Sequence, residues 1–453
     1  MKNPEILNNF TLDKNNDAIE LRTEIFKLVS QYAKISHKKN DFVPHKTIVP
    51  TSGKVYDENE LLMLCASSLD FWLTAGRFNT EFESKLSDYL NMNFVLTTNS
   101  GSSANLLALT ALTSEQLGKK ALRPGDEVIT AAAGFPTTIN PILQNNLIPV
   151  FIDVDIPTYV PSPKQIESAI SKKTKAIILA HTLGNPFDIE QTMEIAKKHD
   201  LWVIEDCCDA LGSLYNNKAV GSFGDLATFS FYPAHQITMG EGGCVVTNNI
   251  DLKRIVESFR DWGRDCFCAP GKNNTCGKRF EWKLGELPEG YDHKFTYSHV
   301  GYNLKITDMQ SSIGVAQLEK INDFNKIRKN NFDYLKQHLI SFSDFFIFPE
   351  SLENSRPSWF GFPITVRENA PFTRKEIVEY LSKQLIDSRS MFGGNITKQP
   401  YFQNQEYRIS GNLSNTDTIM NQTFWIGVFP GINQKMLDYM CNSFKNFIGN
   451  ISK

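Results

Sequence analysis

What the chain lacks narrows its class before any motif is considered. No stretch approaches eighteen consecutive apolar residues, so no segment is built to span a bilayer. The first residues, MKNPEILNNF, are polar where a secretory signal needs an apolar core. Nor is there an excess of one charge. The 47 basic side chains stand against 50 acidic ones, a formal net charge of −3, which leaves no global field to draw the protein to nucleic acid or a membrane. Any anion site must be local. Internal repeats and low-complexity tracts are absent too, which sets aside solenoids and disordered arrays. The expectation is a cytoplasmic protein whose 453 residues suffice for a large domain and a smaller one.

Cysteine is present, and unevenly. The eight are Cys65, Cys207, Cys208, Cys244, Cys266, Cys268, Cys276 and Cys441. In a reducing compartment they stay as thiols, so tight grouping points to a metal or redox site and not to a disulfide framework. Cys207 with Cys208, and Cys266 with Cys268 and Cys276, form such groups; Cys65, Cys244 and Cys441 read as small buried hydrophobes.

Residues 1–48 read as an N-terminal extension with a helix around Ala18 to Ala33, whose apolar face is Leu21, Ile25, Leu28 and Tyr32. Two helices interrupted near Thr74-Ala75-Gly76 come next. From Phe94 onward, apolar runs alternate with helical patterns: FVL, DEVITAAAG, IPVFIDVD, KAIILAHT and LWVIEDCC. That alternation predicts an α/β fold with a mostly parallel sheet, whose ligand sites lie beyond the carboxyl ends of the strands. His181, Asp206 and the turn at Ser102 fall at such ends. A Gly-, Lys- and Cys-rich loop covers 264–300, and ITDMQSSIGVAQLEKINDFNKIRKNNFDYLKQHLI reads as one long helix. It joins a cofactor-binding domain, 49–330, to a C-terminal α+β domain, 331–453.

Two segments carry the chemistry. In TTNSGSSANLLALTAL, the amides of Gly101, Ser102 and Ser103 open a helix, where free N–H groups and the helix dipole favour a phosphate. Taken alone, those serines cap a helix as readily as they bind an anion. Between Leu201 and Thr247, the residues Asp206, Asp209, Ser230, Tyr232 and His235 and the glycines of GEGG crowd into one stretch.

The order GSSAN, the Phe135 segment, IEDCCDALGS, SFGD, FSFYPAHQITMGEGG and GYNLKITDMQSSIGVAQLEK resembles the DegT/DnrJ/EryC-type sugar aminotransferases, from about residue 50 to the end. The resemblance implies the aspartate-aminotransferase-like fold of pyridoxal-phosphate enzymes, fold type I, and a homodimer. In that family a lysine occupies the slot of His235 and anchors the cofactor. A histidine cannot, so the chain is more similar to the family's deoxysugar 3-dehydrase branch, which uses pyridoxamine 5′-phosphate without a covalent link. Asp209, where the aminotransferases usually carry glutamine, points the same way. The roles implied are Asp206 for the pyridine nitrogen, Gly101, Ser102, Ser103 and Ser230 for the phosphate, Phe135 against the ring and Asn303 reaching a neighbouring subunit's phosphate. His235 becomes the proton-transfer residue, with Tyr232 and Asp209 tuning it. Arg389, Lys398, Phe424 and Trp425 are candidates for the substrate border.

The spacing of Cys208, Cys266, Cys268 and Cys276, with 57, 1 and 7 residues between them, resembles the iron-sulfur ligand set of that branch. It implies a [2Fe-2S] cluster fed by an NADH-dependent iron-sulfur flavoprotein reductase, and a nucleotide-sugar substrate with CDP preferred. Four thiolates equally suit a structural zinc, and Cys207 stays open as the fourth ligand. A dehydrase without a cluster and a non-catalytic, zinc-stapled subunit are the alternatives.

Overall fold

The computed structural model describes residues 15–37, 41–268 and 271–451; residues 1–14 and 38–40 of the expected N-terminal extension, and 269–270 of the cysteine loop, lie outside them. Helices α1 (Asn16–Ser36), α2 (Glu58–Asp70) and α3 (Arg77–Leu90) come first. The alternating section follows as β1 (Phe94–Thr98), α4 (Gly101–Ala111), β2 (Glu127–Ala131), α5 (Pro136–Gln144), β3 (Ile148–Ile152), β4 (Thr174–Ala180), α6 (Ile189–His199), β5 (Trp202–Asp206), β6 (Leu226–Ser230), β7 (Gly243–Thr247) and α7 (Ile250–Arg260). The chain closes with α8 (Asp308–Leu318), α9 (Ile321–Leu339), β8 (Phe346–Ile347), β9 (Gly361–Val366), α10 (Arg374–Lys383), β10 (Arg389–Ser390), β11 (Arg408–Ile409), β12 (Thr423–Gly427) and α11 (Gln434–Ile451).

The main sheet has the order β1-β7-β6-β5-β4-β2-β3-β11, parallel from β6 to β11, with β7 antiparallel to both its neighbours. Helices cover both faces, so β6 and β7 are buried along their whole length, and this is why the strands read as continuous apolar runs. One hydrophobic cluster lies on each side of the sheet, one with Phe82, Val203 and Phe229, the other with Leu107, Ile178 and Val245. A second sheet, β8-β9-β12-β10, is antiparallel and builds its own core with α9, α10 and α11. Helix α9 spans both cores: Phe324 packs in the first, and Phe332, Leu335 and Leu339 in the second.

Two expectations change. The single long helix is two, α8 and α9, broken at Glu319-Lys320, where the Lys320 ammonium is held by Glu60 at 2.6 Å and Asp57 at 3.0 Å. The buried face of α1 is also different. Leu21, Leu28 and Tyr32 are 61%, 64% and 62% exposed, whereas Arg22, Phe26 and Ala33 are buried. The stripe is shifted by one residue, about 100° round the helix. Arg22 sets that rotation, because its guanidinium donates to Asp70 at 2.7 Å and to the Ala66 carbonyl at 2.8 Å on α2, carrying Phe26 into the core.

Phe26→Ala is expected to cost about 3 kcal/mol and to speed amide hydrogen exchange in α1 about 100-fold, whereas Leu28→Ala should change it by less than about threefold. Equal effects would mean that the helix is docked by the other face.

Candidate active site

Strands β1, β4, β5 and β6 end at one cavity of about 560 Å³. Its anion end is the start of α4. Ser100 caps this helix, its Oγ accepting the Ser103 amide at 3.1 Å and bonding the Ser103 hydroxyl at 3.0 Å. The cap consumes Ser103, which does not line the cavity; Gly101 and Ser102 do. Of the expected phosphate set, Gly101, Ser102 and Ser230 line the cavity, while Ser103 is engaged by the helix cap. Glycine is required at 101, since a Cβ would stand 2.4 Å from the Ser230 Cβ and 3.0 Å from the Cys208 sulfur. The same holds at Gly243, where a Cβ would meet the Ser100 backbone at 2.5 Å. The two glycines let β7 and Ser230 close in on the helix start, so that backbone amides and a hydroxyl face one anion.

Asp206 ends β5 and is 4% exposed. Its Oδ2 accepts Asn105 Nδ2 at 2.8 Å and the Thr138 hydroxyl at 2.7 Å, and its Oδ1 accepts the Cys208 amide at 3.1 Å. Three donors fix the carboxylate in orientation, as an acceptor for a protonated ring nitrogen must be. Phe135 stands over the same cavity, half exposed, with Phe392 edge-on at 6.0 Å. A helix-start anion site, a fixed buried carboxylate and an aromatic wall around one opening fit a phosphorylated pyridine such as pyridoxamine phosphate.

His235 lines the cavity in the loop after β6. Its Nδ1 lies 3.4 Å from Asp209 Oδ1, a charge contact and not a hydrogen bond, and its ring leans on Phe360 at 5.3 Å. Its carbonyl accepts Arg328 Nη2 at 3.0 Å. Arg328 is 1% exposed and also reaches the Trp359 and Phe360 carbonyls at 3.3 and 3.4 Å. Burial pushes its pKa down to about 9, against the opposing charge of Asp209. No motif announced Arg328; its one signal is a cation in the apolar stripe Phe324, Arg328, Phe332 of α9. Asn105 and Thr138, which hold Asp206, were also missed, although Asn105 closes the GSSAN turn.

The remaining candidates divide. Tyr232, Asp209, Arg389 and Trp425 line the cavity. Lys398 does not; it pairs with Asp417 at 2.7 Å, and Phe424 belongs to the second core. Asn303 is exposed, bridged to Asp261 through the backbone, and outside the cavity of its own chain.

The cysteines separate as well. Cys208 lines the cavity, and burial together with the Asp206 carboxylate pushes its thiol pKa well up. Cys207, fully buried, turns to the opposite side of the strand end, where its sulfur, His181 and Glu205 bring their ligating atoms within 4.8 Å of one another, the one such trio among the described residues. His181 Nε2 donates to Glu205 at 3.0 Å, and the amides of Gly221, Phe223 and Gly224 donate to the same carboxylate. Burial works to raise the Glu205 pKa, but these bonds and the His181 charge outweigh it and hold the group low. Cys266, Cys268 and Cys276 share a small pocket with Arg279, His293 and Lys294. Desolvation there raises the Cys268 pKa, yet hydrogen bonding from Thr275 brings it below the ordinary thiol value. Within one chain the four expected ligands do not surround one centre.

The family model described as the DegT/DnrJ/EryC1/StrS aminotransferase family matches residues 55–445. The chain is 58% identical over 432 residues to the lipopolysaccharide biosynthesis protein RfbH of Salmonella typhimurium, covering 95% of this chain and 99% of the relative. It is 50% identical over 411 residues to a dTDP-4-dehydro-2,6-dideoxy-D-glucose 3-dehydratase of Saccharopolyspora spinosa, covering 91% and 89%. Among solved structures, the E. coli GDP-4-keto-6-deoxy-D-mannose-3-dehydratase with bound hydrated PLP superposes with a TM-score of 0.78 at 28% identity, covering 88% of this chain and 99% of that one. The fold is thus the aspartate-aminotransferase-like fold type I.

Gly101→Ala is expected to weaken pyridoxamine 5′-phosphate binding at least about tenfold in equilibrium dialysis, because the added methyl displaces Ser230. Ser103→Ala, which touches only the cap, should leave the affinity within about threefold.

Proposed function

The chain belongs to the DegT/DnrJ/EryC1/StrS aminotransferase family, and from that footing we propose that it is a 3-dehydrase of a nucleotide-linked 4-keto-6-deoxyhexose, dependent on pyridoxamine 5′-phosphate. The observation that supports this is His235, in the slot where the family's lysine is expected, lining the same cavity as Gly101, Ser102, Phe135, Asp206 and Ser230. When bound, pyridoxamine phosphate supplies an amine to engage the C-4 ketone and a ring that accepts electrons. The amides of Gly101 and Ser102 and the Ser230 hydroxyl hold its phosphate. Asp206 keeps the ring nitrogen protonated, and Phe135 packs on the ring face.

His235 would be the residue to take a proton from the C-4′ carbon of a bound cofactor, a task within reach of an imidazole near neutral pH. Asp209, 3.4 Å from Nδ1, favours the ring orientation and the positive charge that the histidine gains. Tyr232, half exposed and lining the same cavity, would give a proton to the departing C-3 hydroxyl in this reading. Net deoxygenation breaks the C-3–oxygen bond, releases water and consumes two electrons and two protons. A partner flavoprotein reductase is proposed as the electron source, and Cys208, Cys266, Cys268 and Cys276 as the ligands of a [2Fe-2S] relay. CDP is the proposed nucleotide, and a homodimer the proposed assembly, with Asn303 serving the partner's phosphate site. A second reading, a dehydrase without a cluster that draws on glutamate, is favoured by the separation of Cys208 from the other three thiols.

Incubation with CDP-, dTDP- and GDP-linked 4-keto-6-deoxyhexoses, pyridoxamine phosphate and a reductase should yield, from one of them, a product lighter by one oxygen atom in mass spectrometry. A product carrying an amino group in place of the ketone would overturn the assignment. Cys266→Ser with Cys268→Ser should abolish turnover under the first reading and leave it intact under the second.

His235→Asn is expected to lower turnover by about 10²- to 10⁴-fold with cofactor affinity retained. His235→Lys should gain a borohydride-trappable covalent bond to pyridoxal phosphate and lose deoxygenation; an unchanged spectrum would mean that position 235 does not face the cofactor.

A further inference from the structure

The four cysteines do not line one cavity: Cys208 lines the candidate active site, whereas Cys266, Cys268 and Cys276 line a separate small pocket. The Cys208 sulfur sits at the start of α4, 3.0 Å from where a Cβ on Gly101 would stand. Cys266 shares a cavity with Gln116, Arg254, Glu257, Ser258, Trp282 and His293, and Gln116 follows the far end of α4. Thiolates on a shared metal centre stand close together: roughly twice the ~2.3 Å metal–sulfur bond for one ion, and only a few ångströms more across a diiron cluster. Among the described residues of one chain, Cys208 and the three loop thiols line different cavities.

The three loop thiols share one pocket with a buried histidine, although their sulfurs do not all lie within 4.8 Å of one another. His293 lines it, is 2% exposed, donates through Nε2 to Asp265 at 2.8 Å, and has a buried Nδ1 with no partner. Buried imidazole nitrogens are rarely left unsatisfied. Around this pocket the loop presents large apolar side chains to solvent: Phe280 is 56% exposed, Phe295 52%, Tyr297 52% and Val300 94%. Phe71 and Leu73, 74% and 56% exposed, flank Trp72, whose ring lies 3.0 Å from where a Cβ on Gly271 would stand. Apolar surface of this kind on a monomer marks an interface. Cys208, meanwhile, faces an open cavity.

We propose that the four-thiolate set is completed between two copies of the chain, Cys208 of one subunit joining Cys266 of the partner subunit, Cys268 of the partner subunit and Cys276 of the partner subunit. The proposal rests on the iron-sulfur reading above and adds where the centre forms. A two-fold dimer then carries two equivalent centres, each spanning the interface, because a two-fold operator makes every such contact twice. The two-fold arrangement also accounts for the loop's exposed aromatics, which the second copy covers. It places each centre beside a cofactor cavity, since Cys208 lines that cavity.

Mixed dimers test it without reference to turnover. A dimer with Cys208→Ser in one copy and Cys268→Ser in the other, isolated through two affinity tags, retains one intact set only if the set is shared between copies. After anaerobic reconstitution with iron and sulfide it should hold about half the iron and visible absorption of the unmodified dimer, while each homodimeric variant holds little. Mixed dimers no richer in iron than the homodimers would overturn the shared site, provided the unmodified protein loads; an unmodified protein that takes up no iron would overturn the iron-sulfur reading itself. As a check independent of metal and of variants, a short bis-maleimide cross-linker, which alkylates one thiol at each end, should join Cys208 to Cys266 or Cys268 of the metal-free protein as a covalent dimer. The same link found within a monomer would equally sink the proposal.

Discussion

Everything in the site hangs on how β5 ends. Side chains alternate from one face of a strand to the other, and the run Glu205, Asp206, Cys207, Cys208 uses that alternation to serve two environments. Glu205 and Cys207 turn to the interior beside His181, Asp206 and Cys208 to the cavity. A buried carboxylate without partners costs several kcal/mol, so each acid must be fully hydrogen-bonded. Glu205 meets this by gathering the amides of Gly221, Phe223 and Gly224, which fixes the turn that feeds β6 and its Ser230. Asp206 meets it through Asn105 on α4 and Thr138 on α5. One strand end thereby braces the start of α4, the helix after Phe135 and the strand that carries Ser230.

Much of this was legible in sequence for a physical reason. Parallel strands buried on both faces must be continuous apolar runs, and a chain that binds an anion at a helix start must present small residues there. FVLTTNSGSSAN and LWVIEDCC satisfy both demands, so the strands, the turn and Asp206 could be placed by number. What was not legible depends on partners far away in the chain. Ser103 looks like its neighbours until the cap from Ser100 claims it. The apolar stripe of α1 at Leu21, Ile25 and Leu28 is regular, but periodicity cannot weigh a buried ion pair with Asp70, and that pair turns the helix. The break after α8 likewise reflects Glu60 and Asp57, some 260 residues earlier, holding Lys320.

Arg328 shows the same limit in a stronger form. Burying a guanidinium is expensive, and an apolar side chain would pack α9 at lower cost. What the charge provides is a three-way tie: one fork holds the carbonyls of His235, Trp359 and Phe360, so the base and the aromatic ring against it are set by a single rigid group. Asp209, which faces His235, supplies the compensating negative field. Lysine, with a single flexible point charge, cannot reach three carbonyls in fixed geometry.

A histidine in the anchoring slot changes what the rest of the cavity has to do. A covalent link would hold the cofactor whatever the quality of its other contacts; without it, on the proposed reading, retention would rest on the helix-start amides, Ser230, Asp206 and the Phe135 face. Charge-assisted hydrogen bonds are worth about 1.5–3 kcal/mol each, so three or four, plus ring burial, reach micromolar affinity or better without a covalent bond. It follows that defects in this cradle act first on cofactor occupancy, whereas in a lysine-anchored relative they would act on orientation and rate. The closeness of Gly101, Gly243 and Ser230, which leaves no space for a single methyl group, is the structural expression of that demand: the less the chemistry anchors the cofactor, the more tightly the backbone must.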